Sequence, residues 1–381
     1  MPTLSEAQQR HAAHYLQVVQ TADTLYKQGN EALVRGLRVF NLNQANIYAG
    51  LKWAGSRSKE NENAAAICSD FPNVGALLFE LLCAPRDRLQ WLEYALEAAQ
   101  LLMDRQAEGW HVGNIGVVHL HVGNVALAIK CFQRALPICR EFHDRSGEAR
   151  SFGNLGLAYK ELGEIQKAIE HYETALAITE EIDDRLYMSG VLGNLGAAYS
   201  LMGKHARAIE YYKKDFIITG ELGHLPGQAG VLSNISLVYC QTGDYPRSIR
   251  FAKQSLKISR QLGDRRAEMG ALNSLGLVYL NANDPPRAIK CFDGALIIGR
   301  EIEEPRGEAG AIFNKSMALS DLGDFNNAVI LAEEALIVFE RINDHSHEAS
   351  VIDNLRTFRE ERDRVRSESK SMSVVASARS R

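Results

Sequence analysis

The chain has 381 residues, a net charge of −4, and 46% hydrophobic against 24% charged residues, a folded composition whose balance gives no electrostatic reason to expect nucleic acid as a partner. The first residues, MPTLSEAQQRHAAHYL, hold no basic stretch leading into an apolar one, and no apolar run approaches the ~18 residues of a span, so neither a secretory leader nor a membrane segment is expected. The six cysteines, Cys68, Cys83, Cys131, Cys139, Cys240 and Cys291, form no C-x-x-C pair, which predicts reduced thiols and a cytoplasmic protein.

In chain order, apolar periodicity predicts helices over 5–27 and 43–55 and a weaker one over 61–70, so residues 1–67 read as an N-terminal helical region. From residue 68 a 40-residue register takes over. Asparagine stands at 114, 154, 194, 234, 314 and 354, with Ser274 in the gap. Glycine stands at 123, 163, 203, 243 and 323, with Asn283 in the gap. Alanine stands at 128, 168, 208, 288 and 328, with Ser248 in the gap. Three independent columns in one phase mark a tandem repeat. A degenerate repeat occupies 68–107, where Trp91, Ala95, Leu96 and Asp104 fall 40 residues before Cys131, Ala135, Leu136 and Asp144. There Cys83 replaces the turn glycine, and Pro72 is expected to start the first helix. Six full repeats follow over 108–347, then a capping helix over 348–366. The Ser-rich basic stretch 367–381 is expected to be disordered.

Residues 147–185 show how one repeat folds. Leu155, Ala158, Tyr159 and Leu162 fall at i, i+3, i+4 and i+7, as do Ile165, Ala168, Ile169 and Tyr172. Gly163 interrupts the two runs, as a helix C-cap and tight turn would. Asp144, Asp184, Asp264 and Asp344 stand at the other junction, where a carboxylate can accept from the free N–H groups of the next helix. Two antiparallel helices of this kind cannot bury their stripes alone, so units must stack.

The stretch NLGLAY followed by LGEIQKAIEHYETAL resembles the tetratricopeptide repeat, with Leu155, Gly156, Tyr159, Gly163, Ala168, Tyr172 and Ala175 at its signature positions. The 40-residue period resembles the spindle-orientation adaptors of the Pins/LGN type and, more loosely, kinesin light chain. The resemblance implies an all-α fold, a right-handed α-solenoid superhelix of helix pairs preceded by an N-terminal helical bundle. Upstream, His11, Tyr15, Phe40, Asn46, Trp53, Trp91 and Leu92 resemble the segment that joins the winged-helix module of bacterial signal-transducing ATPases to a tetratricopeptide sensor. The same helices read equally as an accessory bundle capping the solenoid. No G-x-x-x-x-G-K-[ST] loop is present in the sequence.

In this family the first helix of each pair lines the concave wall, which places Asn114, Asn154, Asn194, Asn234, Asn314 and Asn354 there, with Asn273 beside the gap. An asparagine amide offers one acceptor and two donors and can hold both polar groups of a peptide backbone. The resemblance implies that role; support of repeat stacking is the alternative. Gly190, Gly193, Gly230, Ser233, Gly270 and Gly310 share the wall by spacing. Each mid-helix glycine costs ~0.5–1 kcal/mol relative to alanine, which implies either a deep groove or close packing between repeats. The adaptors often carry arginine at that position; here only Arg150 fits, so their preference for acidic targets does not transfer. Lys160, Glu161, Ser200, Gln241, Asn281 and Asp321 complete a wall of mixed polarity. Arg105, Arg145, Arg185 and Arg265 follow the junction aspartates and form either a basic rim or local Asp–Arg pairs.

No catalytic motif is visible. His345 and His347 share a loop with Asp344 and Glu348, which reads as solvated rather than metal-binding. The expectation is therefore no cofactor, no metal and no enzyme. The sequence predicts a binding scaffold that takes a peptide segment of a partner protein in its groove, or alternatively a sensor of a small molecule or peptide in a bacterial signalling or transcription system. Self-association through the tail or the N-terminal helices is a further expected route.

Overall fold

In the computed structural model, which describes residues 3–28 and 30–379, the register becomes a succession of short helices. Six pairs follow one another: α6 Arg105–His121 with α7 Val125–Glu141, α8 Arg145–Glu161 with α9 Ile165–Glu181, α10 Arg185–Leu201 with α11 His205–Glu221, α12 Leu225–Gln241 with α13 Tyr245–Leu262, α14 Arg265–Asn281 with α15 Pro285–Glu301, and α16 Pro305–Asp321 with α17 Phe325–Arg341. Before them lie α1 Leu4–Gln28, α2 Asn30–Arg57, α3 Glu62–Val74, α4 Ala76–Leu82 and α5 Pro85–Leu101; after them comes α18 His345–Arg379. No strand occurs among the described residues. The chain divides into two compact units, residues 1–198 and 199–381, with the boundary inside α10.

Both junctions are built as their residues dictate. Gly123, Gly163, Gly203, Gly243 and Gly323 close the first helix of their pairs at φ between 70° and 80°, and Asn283 takes the same left-handed turn at 57°. At the second junction Asp104, Asp144, Asp184, Asp264 and Asp344 each accept the backbone N–H three residues on, at 2.8–3.4 Å. The residue before each aspartate is also left-handed, although Met103, His143, Asp183 and Asn343 are not glycine.

Inside a pair the two helices are matched in size. A Cβ on Gly116 would stand 2.6 Å from Phe132, and one on Gly156 would stand 2.5 Å from Tyr172; Gly276 is closed by Phe292 in the same way. Where the small position is serine the facing residue shrinks to alanine, as in Ser236 with Ala252 and Ser316 with Ala332. Ser236 then spends its hydroxyl locally: Ser236 Oγ donates to Ser248 O at 2.8 Å and Ser248 Oγ returns the bond to Ser236 O at 2.7 Å. Ser248 is the one non-alanine in its column, so the exception to one column explains the exception to another.

Along one edge, buried glutamates tie consecutive pairs. Glu148 accepts from Arg140 of α7 at 2.7 Å and from Arg145, which also reaches Glu181. Glu268 repeats this with Arg260 at 2.8 Å and Arg265 at 2.6 Å, and Arg265 reaches Glu301. Glu108 takes Arg105 at 2.6 Å, and Arg105 lies 3.6 Å from Glu141. Burial pushes the Glu108 and Glu268 carboxyls up, but the hydrogen bonds from their arginines outweigh it and hold both below the usual range. Arg105, Arg145 and Arg265 thus form neither a free basic rim nor Asp–Arg pairs; their partners are glutamates, which the helix brings around at i+3.

The N-terminal region departs further from the sequence reading. The helix expected over 43–55 begins at Asn30 in α2, because Gly36 sits where a side chain would strike the Ala22 carbonyl oxygen of α1 and keeps the two helices close. The first helix of the degenerate repeat is split into α3 and α4, bent by 71° at Gly75. A Cβ on Gly75 would strike Val19 of α1 and come within 2.9 Å of Phe79, so the break lets α1 pack against it. Pro72 lies inside α3 rather than at a helix start; Pro85 opens α5 at its first turn. Val19, Phe40, Ile47, Phe71, Leu78 and Phe79 share one core, which joins the N-terminal helices to the degenerate repeat. No single helix among the described residues is long and apolar enough to cross a membrane. All six cysteines are free.

At the other end, α18 runs on to Arg379 where a capping helix ending at 366 and a disordered tail were expected; no proline or glycine in 367–379 stops it. Val351, Leu355 and Phe358 seat its first half against the α16–α17 core. The tail's last residues, 380–381, lie outside the described residues.

Candidate peptide-binding cavity

The N-terminal unit holds a cavity of about 960 Å³. Its floor comes from α6 and α8, and one wall comes from the broken α3–α4 helix and α5. Trp91, Trp110 and Phe132 supply aromatic surface; Asn114, Asn154 and Arg150 supply polar groups. Trp110 is 43% exposed, and its indole N–H donates to Asp144 Oδ2 at 3.3 Å. Asp144 uses its other oxygen to cap α8 through Gly147 N at 2.8 Å, so one carboxylate fixes both the helix start and the indole.

Arg150 lies with its guanidinium carbon 5.6 Å from the Tyr187 ring centre. The Tyr187 hydroxyl occupies the space left by Gly153 and points to the Arg150 carbonyl oxygen at 3.5 Å. Burial raises the Tyr187 hydroxyl's pKa to about 12, so it stays protonated and uncharged at neutral pH. On the opposite wall Arg88 is more than nine-tenths buried, and burial lowers its pKa below the ordinary value. Glu80 is close enough to act on Arg88 through space, but the basic side chain within ion-pair distance of it is His121, at 3.9 Å.

The asparagine column holds its register. Asn114, Asn154 and Asn194 in the first unit and Asn234 and Asn314 in the second make no side-chain hydrogen bond among the described residues, and none has a polar atom sealed from solvent. Amides that supported stacking would be bonded to a neighbouring helix. Asn354 is different, since its amide donates to Ser350 O of its own helix at 2.9 Å. Asn273 drops out of the column: its Oδ1 is enclosed without a partner, one position off the asparagine register and between the helices.

The glycine stripe is settled the same way. A Cβ on Gly190, Gly230, Gly270 or Gly310 would meet nothing within 4 Å, so packing does not require these glycines. Gly193 is half-buried. Gln241 in the second unit is bonded to Ser200, whose hydroxyl donates to its Oε1 at 2.9 Å. Lys160 is half-buried and 3.8 Å from Glu161. Asn281 bonds Leu277 O at 2.8 Å. Asp344 and His347 pair at 3.0 Å, as do His345 and Glu348, and no group of three or more metal-ligating side chains occurs among the described residues.

Among the cavity residues, Trp110, Phe132, Tyr187 and Arg88 were not singled out by the sequence reading. Trp110 was legible, because it stands 40 residues before Arg150 and heads the column Trp110, Arg150, Gly190, Gly230, Gly270, Gly310. Arg88 carried no signal, since what buries it is contributed by residues distant in sequence.

Comparison with known proteins bears on the repeats directly. A tetratricopeptide repeat profile matches residues 105–181, 162–214 and 227–296, and a second one matches 311–349, together more than half of the chain. The chain belongs to the tetratricopeptide repeat family. No curated protein matches the sequence. Among solved structures, the tetratricopeptide chain is similar to aspartyl phosphate phosphatase F from Bacillus subtilis, with 11% identity and a TM-score of 0.61 over 89% of this chain and 95% of that one. It is similar to a signal transduction ATPase with numerous domains and a tetratricopeptide sensor from Pyrococcus horikoshii, with 14% identity and a TM-score of 0.59, covering 93% of this chain but 55% of that one. It is also similar to a Rap protein complexed with competence and sporulation factor, with 13% identity and a TM-score of 0.54 over 94% and 98% of the two chains. At these identities the likeness is one of fold.

Proposed function

We propose that this tetratricopeptide protein is a non-catalytic scaffold that binds a peptide segment of a partner in the cavity of its N-terminal unit. The observation that carries the reading is the pair Asn114 and Asn154, two amides on successive first helices, open to the cavity and bonded to nothing in the protein. They are free to exchange hydrogen bonds with a peptide backbone, while Trp91, Trp110 and Phe132 offer apolar contact. The complex of the Rap protein with competence and sporulation factor agrees with this reading. The test is selection of random decapeptides on the wild type and on the Asn114→Ala/Asn154→Ala double variant. Peptides held by the wild type should bind the double variant about 10-fold or more weakly, the loss expected of two or more net hydrogen bonds at ~0.5–1.5 kcal/mol each. Equal binding by both would remove the asparagines from the mechanism.

A second reading, a sensor that relays ligand binding to an effector, is favoured by the likeness to the Pyrococcus ATPase, which spans the N-terminal helices as well as the repeats. Small-angle scattering with and without a selected peptide tests it. A ligand-dependent change in radius of gyration supports relay, and an unchanged profile at saturation rejects it.

A further inference from the structure

Arg88 is a charged side chain more than nine-tenths buried, on the wall of the cavity, with no hydrogen bond or ion pair to its guanidinium among the described residues. Arginine stays charged at any ordinary pH, and although most of the side chain is buried, none of its guanidinium nitrogens is sealed from solvent, so its donors are free. The protein's own acids do not pair with it: Glu80 is outside ion-pair distance of Arg88 and lies by His121, Asp87 is half-buried beside it in sequence but makes no ion pair with it, and Asp144 is occupied by Gly147 N and Trp110. The guanidinium presents five donors in a planar fork that matches a carboxylate. Trp91 and Leu92, one turn along α5 from Arg88, line the same cavity and exclude water beside it.

We propose that Arg88 forms an anion subsite of the cavity and takes the carboxylate of a bound peptide, which makes the scaffold selective for acidic or free-C-terminal segments. This rests on the peptide reading above for the ligand's class, but the anion subsite itself does not. A carboxylate could come from an Asp or Glu side chain or from a chain end, and the two are separable by experiment.

Acetate is the direct probe, read by tryptophan fluorescence, since two of the three tryptophans line the cavity. Full-length wild type should show a saturable change that chloride at equal ionic strength does not produce. Arg88→Met should weaken it at least about 10-fold and Arg88→Lys by less, because lysine keeps the charge and loses the fork. Thermal melting of each variant checks folding, and Arg88→Met should melt close to wild type, since the guanidinium makes no bond within the protein. The same unsaturated response in all three proteins would overturn the subsite, as would a large fall in melting temperature for Arg88→Met. The peptide arm uses random decapeptides with free and with amidated C-termini. Acidic sequences enriched from both pools identify a side-chain carboxylate; enrichment from the free pool alone identifies the chain end. Enrichment of peptides with no anionic preference overturns the subsite and leaves the peptide reading standing. Saturable acetate binding with no peptide retained does the reverse.

Discussion

The pair α8–α9 in the first unit and the pair α12–α13 in the second occupy equivalent places in the repeat yet solve each physical problem differently. In the core, α8–α9 sets Gly156 against Tyr172, whereas α12–α13 sets Ser236 against Ala252 and ties it to Ser248. On the edge, Glu148 binds two arginines, whereas the equivalent Gln228 follows Leu225 and Gly220, and no such clamp can form. On the wall, Arg150 stands over Tyr187, whereas Gly230 faces open space. A repeat therefore keeps its helix boundaries and turns, not its volumes, caps or interactions: α12 starts at His224 without the side-chain cap that Asp144 gives α8. The same helix pair can be held by an aromatic ring and ion pairs or by hydroxyls and small residues.

The largest test exchanges the two cores. Tyr172→Ala alone should destabilise the protein by about 3–5 kcal/mol, through lost burial and a cavity. Adding Gly156→Ser and Ala168→Ser recreates the α12–α13 solution and should recover at least ~1 kcal/mol, read by urea unfolding. A triple variant no more stable than Tyr172→Ala would mean that the two solutions are not local to the pair.

Next comes the edge. Glu148→Gln, which copies Gln228, should cost roughly 1.5–3 kcal/mol, the worth of hydrogen bonds from charged groups to a buried acceptor. Acid titration of stability sharpens the point at Glu268. Its folded pKa lies below the ordinary 4.5, so the unfolded chain binds more protons in that range. The stability it contributes is present at neutral pH and is lost as pH falls below about 4.5. Glu268→Gln should flatten that acid limb, and a variant with the wild-type profile would show that Glu268 carries none of it.

On the wall, Gly230→Ala should stabilise the protein by about 0.5–1 kcal/mol, because the new methyl meets nothing and the helix gains propensity. A loss instead would reveal a contact that the structure does not contain. The smallest effect belongs to the turns. Asp183 holds φ 53 where the equivalent Gly263 holds φ 65. Asp183→Gly should gain at most ~1 kcal/mol, since relief of the left-handed strain is partly offset by glycine's entropy. A thermal melt that moves downwards would assign the Asp183 side chain a role in the turn.

Most of the repeat was legible in the sequence because its determinants are local. Gly163 and Asp144 act on their own turn and their own helix, so their columns could be read as a turn and a cap before any coordinates. The asparagine column was legible in register, but not in state: whether Asn154 bonds a neighbour depends on what lies beside it, and nothing does. What could not be read depends on contacts distant in sequence. The bend at Gly75 answers to Val19, and the start of α2 to Ala22, both on another helix. The arginines after the junction aspartates were assigned the wrong partner for a simpler reason: Glu148 and Glu181 compete for Arg145 and win by geometry.

The matched cores also set rules for how such a chain can be cut and rejoined. A recombination in the turn at Gly163 that joined α8 to α13 would leave Gly156 facing Ala252, a void; the reciprocal product would press Ser236 into Tyr172. A recombination at the Asp184 junction keeps the match inside each pair and puts at risk the contacts between neighbours, both the edge ion pairs and stacking contacts such as Tyr187 in the space at Gly153. Joining whole helix pairs should therefore cost less than joining halves, and a designer shortening or extending the protein should place the joints at the aspartates.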